Sequence, residues 1–218
     1  MISEFEEIKK LFYELNKQLN KKINLYVIGG AMLLYHGLKP ATKDIDLIVS
    51  EKEDYKEFKE ALSKAGFEPK ILTKEYEHLD ISNILVREDF RIDLFHRTVC
   101  KGFSLSETMM KRAEKVVTLS NITIFLCSNE DVFLFKTLTE RDGDLEDCIA
   151  LSKKGLDWDA ILNELKHQIK LSGNEVWITY VGERLDILAE RELQIPIMND
   201  IDILRTAYYD ELEKKLKK

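Results

Sequence analysis

Asp44 and Asp46 stand one residue apart in the run Thr42-Lys43-Asp44-Ile45-Asp46-Leu47-Ile48-Val49, whose β-branched content favours a strand with Asp44 at its mouth. Side chains at i and i+2 of a strand point to one face, so the two carboxylates converge while Ile45 points to the other. Two ionised carboxylates side by side repel unless a cation lies between them, and hard oxygen ligands of this kind suit Mg²⁺ or Mn²⁺. An Asp-x-Asp pair is also common in solvated loops, so the pair needs support from elsewhere in the chain.

That support comes from Arg91-Ile92-Asp93-Leu94-Phe95, where an acidic residue is embedded in an apolar strand. An unpaired carboxylate there is costly to desolvate. Asp93 therefore needs a partner, and a metal shared with Asp44 and Asp46 supplies one. Upstream, Leu25-Tyr26-Val27-Ile28 stops at Gly29-Gly30, the pattern of a buried strand entering a tight turn. Backbone N–H groups at such a turn hold triphosphate oxygens in some proteins, although any strand-to-helix turn can use glycine.

The elements that must position these residues follow from spacing. Ser3-Glu4-Phe5-Glu6 reads as a capping box, and Phe5, Ile8, Leu11, Phe12, Leu15 and Leu19 recur at helical spacing, predicting a helix to about Asn20. A short helix is expected over Ala31 to His36. Ser50-x-x-Glu53 opens another, with Gly66 just past its end. Ile81 to Val86 and Phe90 to Phe95 flank Arg87-Glu88-Asp89 as a hairpin, and Val116 to Leu119 pairs with Ile122 to Leu126 around Ser120-Asn121. After Ser128-x-x-Asp131 the pattern is helical almost throughout, with helices expected near 129–140, 143–153, 157–171, 174–191 and 199–216. The expected organisation is α+β: residues 1–127 forming a mixed β-sheet flanked by helices, and residues 128–218 an all-α helical bundle.

Hydrophobic residues at 44% and charged residues at 33% exclude a disordered chain. No apolar run approaches the roughly 20 residues of a membrane span, and Met1 to Lys10 is acidic and amphipathic, so a cytoplasmic protein is expected. Cys100, Cys127 and Cys148 are an odd number at wide spacing and support neither a disulfide framework nor a zinc site. His36, His78, His96 and His167 share no metal-ligand spacing. A formal charge of −7 argues against a protein that coats nucleic acid by neutralising phosphates, while leaving room for a local basic patch that holds an RNA end.

Taken together, the strand, Gly29-Gly30, the short helix, the Asp44-Ile45-Asp46 strand and Asp93 on a later strand resemble the DNA polymerase β-like nucleotidyltransferase superfamily over residues 23 to about 96. Gly29-Gly30-Ala31-Met32, His36-Gly37 and Thr42-Lys43-Asp44-Ile45-Asp46 are similar to the branch that includes AbiEii-type toxin nucleotidyltransferases, although Pro40 stands where that branch usually has Arg. The resemblance implies the nucleotidyltransferase fold and transfer of a nucleoside monophosphate from an NTP, with Mg²⁺ or Mn²⁺ held by Asp44, Asp46 and Asp93. By the same resemblance Gly29, Gly30 and Thr42 belong to the nucleotide site. Lys136 and Arg141 would touch the NTP phosphates and Asp144 would support the site, because Lys136 to Asp147 is similar to that branch's Lys, then Arg-x-x-Asp-x-x-Asp segment. Surface ion pairing explains Lys136, Arg141 and Asp144 equally well. The implied partners are the NTP and an acceptor hydroxyl on tRNA or other RNA, protein or a small molecule, with an antitoxin or a second copy as protein partner. Two alternatives stay open: a catalytically silent nucleotide- or partner-binding relative, and an Asp-x-Asp phosphatase.

Overall fold

Runs of Val, Ile and Leu in the first half of the chain become strands buried on both faces. The computed structural model describes residues 1–70 and 83–217, so Ile81, Ser82 and His78 lie outside the described residues. The chain divides into two compact units, Met1–Ser128 and Asn129–Lys218.

The first unit contains, in order, α1 (Phe5–Asn16), β1 (Ile23–Ile28), α2 (Gly29–Tyr35), β2 (Ile45–Val49), α3 (Lys52–Lys64), β3 (Glu68–Pro69), β4 (Asn83–Arg87), β5 (Phe90–His96), β6 (Thr98–Cys100), β7 (Phe103–Ser104), α4 (Glu107–Arg112), β8 (Glu114–Thr118) and β9 (Ile122–Leu126). Among the described residues a mixed sheet runs β3-β4-β5-β2-β1-β9-β8, with β6 and β7 forming a separate two-stranded ribbon. β1 is antiparallel to β2 and parallel to β9, and β2 is parallel to β5. The middle strands are covered by helices: α2 and α3 both pack on β1 and β2. Leu25, Val27, Ile45, Leu47, Ile48, Ile92 and Leu94 are accordingly fully buried.

Several boundaries differ from the periodicity. α1 stops at Asn16 because Lys17 and Gln18 donate to the carbonyls three residues back, and because Asn121 draws the chain away, donating from its N–H to Asn16 Oδ1 and from its amide to the Leu19 carbonyl. The cap of α1 also lies one residue beyond Ser3-x-x-Glu6: the Glu7 carboxylate accepts from the N–H groups of Ser3 and Glu4. β3, β6, β7 and α4 have no counterpart in the sequence pattern, being too short to show a period. α4 is set instead by Ser106, whose Oγ accepts from the Met109 N–H.

The second unit is helical: α5 (Asn129–Thr137), α6 (Asp142–Ser152), α7 (Trp158–Ser172), α8 (Trp177–Glu190) and α9 (Met198–Leu216). α5 is buried on every face from Asp131 to Thr137, as befits a helix that packs against α6, α7 and α8 together. Phe133 meets Trp158 edge-on with ring centroids 5.3 Å apart. α9 packs on α8, where the Arg205 guanidinium reaches Asp186 and Asp202, and no helix among the described residues is long and apolar enough to cross a membrane. If α5 is the core of this unit, Phe133→Ala lowers unfolding free energy by about 3–5 kcal/mol. Urea denaturation followed by far-ultraviolet circular dichroism measures this, and a loss under about 1 kcal/mol would contradict a central α5.

Candidate active site

The register of the central strands decides which acidic residues meet. In the parallel pair of β2 and β5, Asp46 is the direct partner of Asp93, and in the antiparallel pair of β1 and β2 it is the partner of Ile28. Asp46 and Asp93 are therefore neighbours on one sheet, next to the point where β1 turns into α2. Asp44 precedes β2 by one residue and is half-buried, as is Asp46, whereas Asp93 is only 3% exposed.

The two glycines sit against this acidic edge for a steric reason. Gly29 has φ +64°, and a Cβ built on it would lie 2.0 Å from Asp46 Oδ2; one on Gly30 would lie 2.3 Å from Thr42 Oγ1. Glycine thus gives the Asp46 carboxylate and the Thr42 hydroxyl their space, beyond permitting the turn. Thr42 is itself pinned. Its Oγ1 donates to the Asp44 carbonyl at 3.0 Å and its backbone forms a two-way bridge with Ile2, so the loop entering β2 is tied to the N-terminal segment. The first N–H groups of α2 begin here, and such groups have no partner within the helix.

Asp93 has a partner that the sequence reading overlooked. Arg91, two residues earlier and on the same face of β5, donates from Nε to Oδ1 at 2.7 Å and from Nη2 to Oδ2 at 2.6 Å. The guanidinium supplies the positive charge that a metal was invoked to provide. Among the described residues no group of three or more His, Cys, Asp or Glu converges as it stands on a point that could hold an ion. The donor set nevertheless fits a hard divalent cation in kind, with carboxylates at Asp44, Asp46 and Asp93 and two of them in register.

Lys136, Arg141 and Asp144 come together within the second unit. Lys136 Nζ donates to Asp144 Oδ1 and to Asp147 Oδ2, each at 2.7 Å, and Arg141 Nε donates to Asp144 Oδ2 at 2.9 Å. Lys136 is buried, while the Arg141 side chain is 62% exposed. Burial works against the Asp144 carboxylate, but the charges of Lys136 and Arg141 outweigh it and hold its pKa well below the usual range. Burial likewise works against the Lys136 ammonium, and the two carboxylates outweigh it and raise its pKa. Nearby Cys148 is buried, which pushes its thiol up to about 12 and leaves it unreactive. Asp147 and Arg184, whose Nη2 donates to the Arg141 carbonyl at 2.7 Å, complete the network; Asp147 was legible as the residue one turn after Asp144, and Arg184, 43 positions from its partner, gave no signal.

A family described as nucleotidyltransferase of unknown function (DUF6036) matches residues 4–175. No curated protein matches the sequence. Among solved structures the chain is similar to the crystal structure of ANT(2'')-Ia in complex with adenylyl-2''-tobramycin, at 12% identity and a TM-score of 0.50, over 77% of this chain and 98% of that one. It is also similar to the solution structure of the antibiotic-resistance factor ANT(2'')-Ia, at 13% identity and a TM-score of 0.52, over 78% of this chain and 94% of that one. At these identities the likeness is one of fold, and the fold is that of the nucleotidyltransferases.

Two outcomes are expected from this geometry. Gly29→Ala combines a strained φ with a collision against Asp46, whereas Gly37→Ala, at φ +67° with nothing within 4 Å, has the strain alone. The strain is worth about 1–2 kcal/mol. Thermal unfolding should therefore show Gly29→Ala to be clearly the more damaging, and equal shifts would mean that Asp46 does not occupy the space. Lys136→Met leaves Asp144 and Asp147 buried without their ammonium, a loss of about 3–5 kcal/mol near neutral pH. Because the folded-state pKa of Asp144 is depressed, its stabilising contribution is present above the ordinary value of 3.8 and is lost as pH falls below it. The gap between wild type and Lys136→Met should then narrow as urea titrations are moved from pH 7 into that acid range, and a gap independent of pH would contradict the network.

Proposed function

Because the chain belongs to the nucleotidyltransferase family that matches residues 4–175, we propose that it transfers a nucleoside monophosphate from an NTP to an acceptor hydroxyl, with divalent cations held by Asp44, Asp46 and Asp93. The observation that carries this reading is the in-register pair of Asp46 and Asp93 on adjacent parallel strands, against the Gly29 turn. Bound there, Mg²⁺ or Mn²⁺ would supply charge neutralisation of the triphosphate and a lower pKa for the acceptor hydroxyl. The chain's own residues do the positioning. Asp46 lies on β2 with Asp44 two residues before it, Thr42 fixes the loop that leads into them, and the N–H groups of Gly29 and Gly30 at the start of α2 offer hydrogen bonds to phosphate oxygens. Of the two basic residues assigned to phosphate by resemblance, Arg141 is the more exposed; Lys136 is committed to Asp144 and Asp147.

The acceptor lies outside what the fold specifies, since one fold hosts many acceptors. A formal charge of −7 gives bulk electrostatics that favour a neutral or cationic acceptor over a polyanion. The motif resemblance to AbiEii-type toxins keeps cellular RNA and protein in the test, and the likeness in fold to ANT(2'')-Ia adds hydroxylated antibiotics.

Incubation with each α-labelled NTP, Mg²⁺ and a panel of tRNA, aminoglycosides and cell proteins should transfer label to one class with release of pyrophosphate. Asp44→Asn, Asp46→Asn and Asp93→Asn should each reduce transfer on the order of a thousandfold or more. Release of inorganic phosphate in place of pyrophosphate would favour a phosphatase, and metal-dependent NTP binding without transfer to any acceptor would favour a silent binding protein.

A further inference from the structure

Both oxygens of the Asp93 carboxylate accept hydrogen bonds from Arg91, at 2.7 and 2.6 Å. The Asp93 side chain is 4% exposed and that of Arg91 20%, so the pair is largely dry. A two-pronged guanidinium–carboxylate contact is among the strongest that side chains make, because the planar fork matches the carboxylate edge to edge. The same oxygens are the ones assigned above to a divalent cation, and a cation arriving beside the guanidinium is repelled by it.

We propose that Arg91 is the resident counter-ion of Asp93 and must be displaced before that carboxylate is available to a divalent cation. Arg91 thereby couples cation loading at Asp93 to nucleotide. Once displaced, the guanidinium is a two-pronged donor for an anion, and the triphosphate of the incoming NTP is the anion the reaction brings. Binding of nucleotide and binding of the cation at Asp93 then strengthen each other by the same factor, as linkage requires. The fork engages both oxygens of Asp93, so in this scheme Asp93 is the carboxylate whose share of the cation site waits on nucleotide. Arg91 acts through Asp93 and is a positioning residue. The inference rests on the reading of Asp44, Asp46 and Asp93 as the metal carboxylates.

Isothermal titration of the full chain with Mn²⁺ tests it without any turnover. Wild type, Arg91→Met, Arg91→Lys, Asp93→Asn and the double variant Arg91→Met/Asp93→Asn are compared with and without a non-hydrolysable NTP analogue, after circular dichroism has confirmed the fold of each. Without nucleotide, Arg91→Met should bind Mn²⁺ roughly tenfold or more tighter than wild type, the scale expected when a charged, two-pronged competitor is removed. Arg91→Lys, which keeps the charge but loses the fork, should fall between them and carries the test if the methionine variant does not fold. The analogue should tighten Mn²⁺ binding in wild type more than in Arg91→Met. In the Asp93→Asn background the Arg91 substitution should make no difference. Equal or weaker Mn²⁺ binding by the Arg91 variants would overturn the proposal while leaving the metal site intact. Absence of Mn²⁺ binding in every protein, with or without the analogue, would remove the metal site itself and this proposal with it.

Discussion

Two carboxylates on adjacent parallel strands, in register and partly out of water, form the constraint around which the first unit is arranged. Asp46 beside Asp93 places two negative charges at close quarters where the sheet is covered by helices, and such a pair persists only with positive charge or hydrogen-bond donors close by. Every nearby feature answers that need. Gly29 withdraws its own bulk so that the Asp46 carboxylate can lie over the turn, α2 starts there, and Arg91 closes on Asp93. The apolar residues of β1, β2 and β5 hold these polar groups in place without competing for them.

The helical unit meets the same electrostatic problem and resolves it differently. Lys136 is buried between Asp144 and Asp147, and Arg141 binds Asp144 from the exposed side. Here two carboxylates meet two cations within a few residues, and Arg184 joins them through the Arg141 carbonyl. At the sheet, by comparison, one guanidinium reaches Asp93 through both prongs.

What could be read from the sequence follows the range over which each signal acts. Asp44 and Asp46 converge because strands alternate, and a two-residue rule is visible without a structure. Asp93 stood out because a charged residue within Ile92 to Phe95 contradicts its surroundings. The same alternation places Arg91 beside Asp93, yet an arginine at the start of a strand looks like ordinary solvated surface and does not announce the pairing. The long helices of the second unit declared themselves by period, whereas β3, β6, β7 and α4 span too few residues to have one. The end of α1 depends on Asn121, more than a hundred positions away, and Arg184 on the Arg141 carbonyl; neither dependence leaves a local trace.

The glycine doublet deserves a different explanation from the one its sequence position suggests. A turn from strand to helix needs one residue with positive φ, which Gly29 supplies, and Gly30 is not at positive φ. Two glycines are required because two separate side chains from the next strand and its approach press on them: Asp46 on the first and Thr42 on the second. The antiparallel register of Ile28 with Asp46 brings the start of α2 against this stretch of chain. Motifs separated by more than ten residues are thus one steric unit. A side chain larger than hydrogen would displace Asp46 at the first glycine and Thr42, in the loop that leads into β2, at the second.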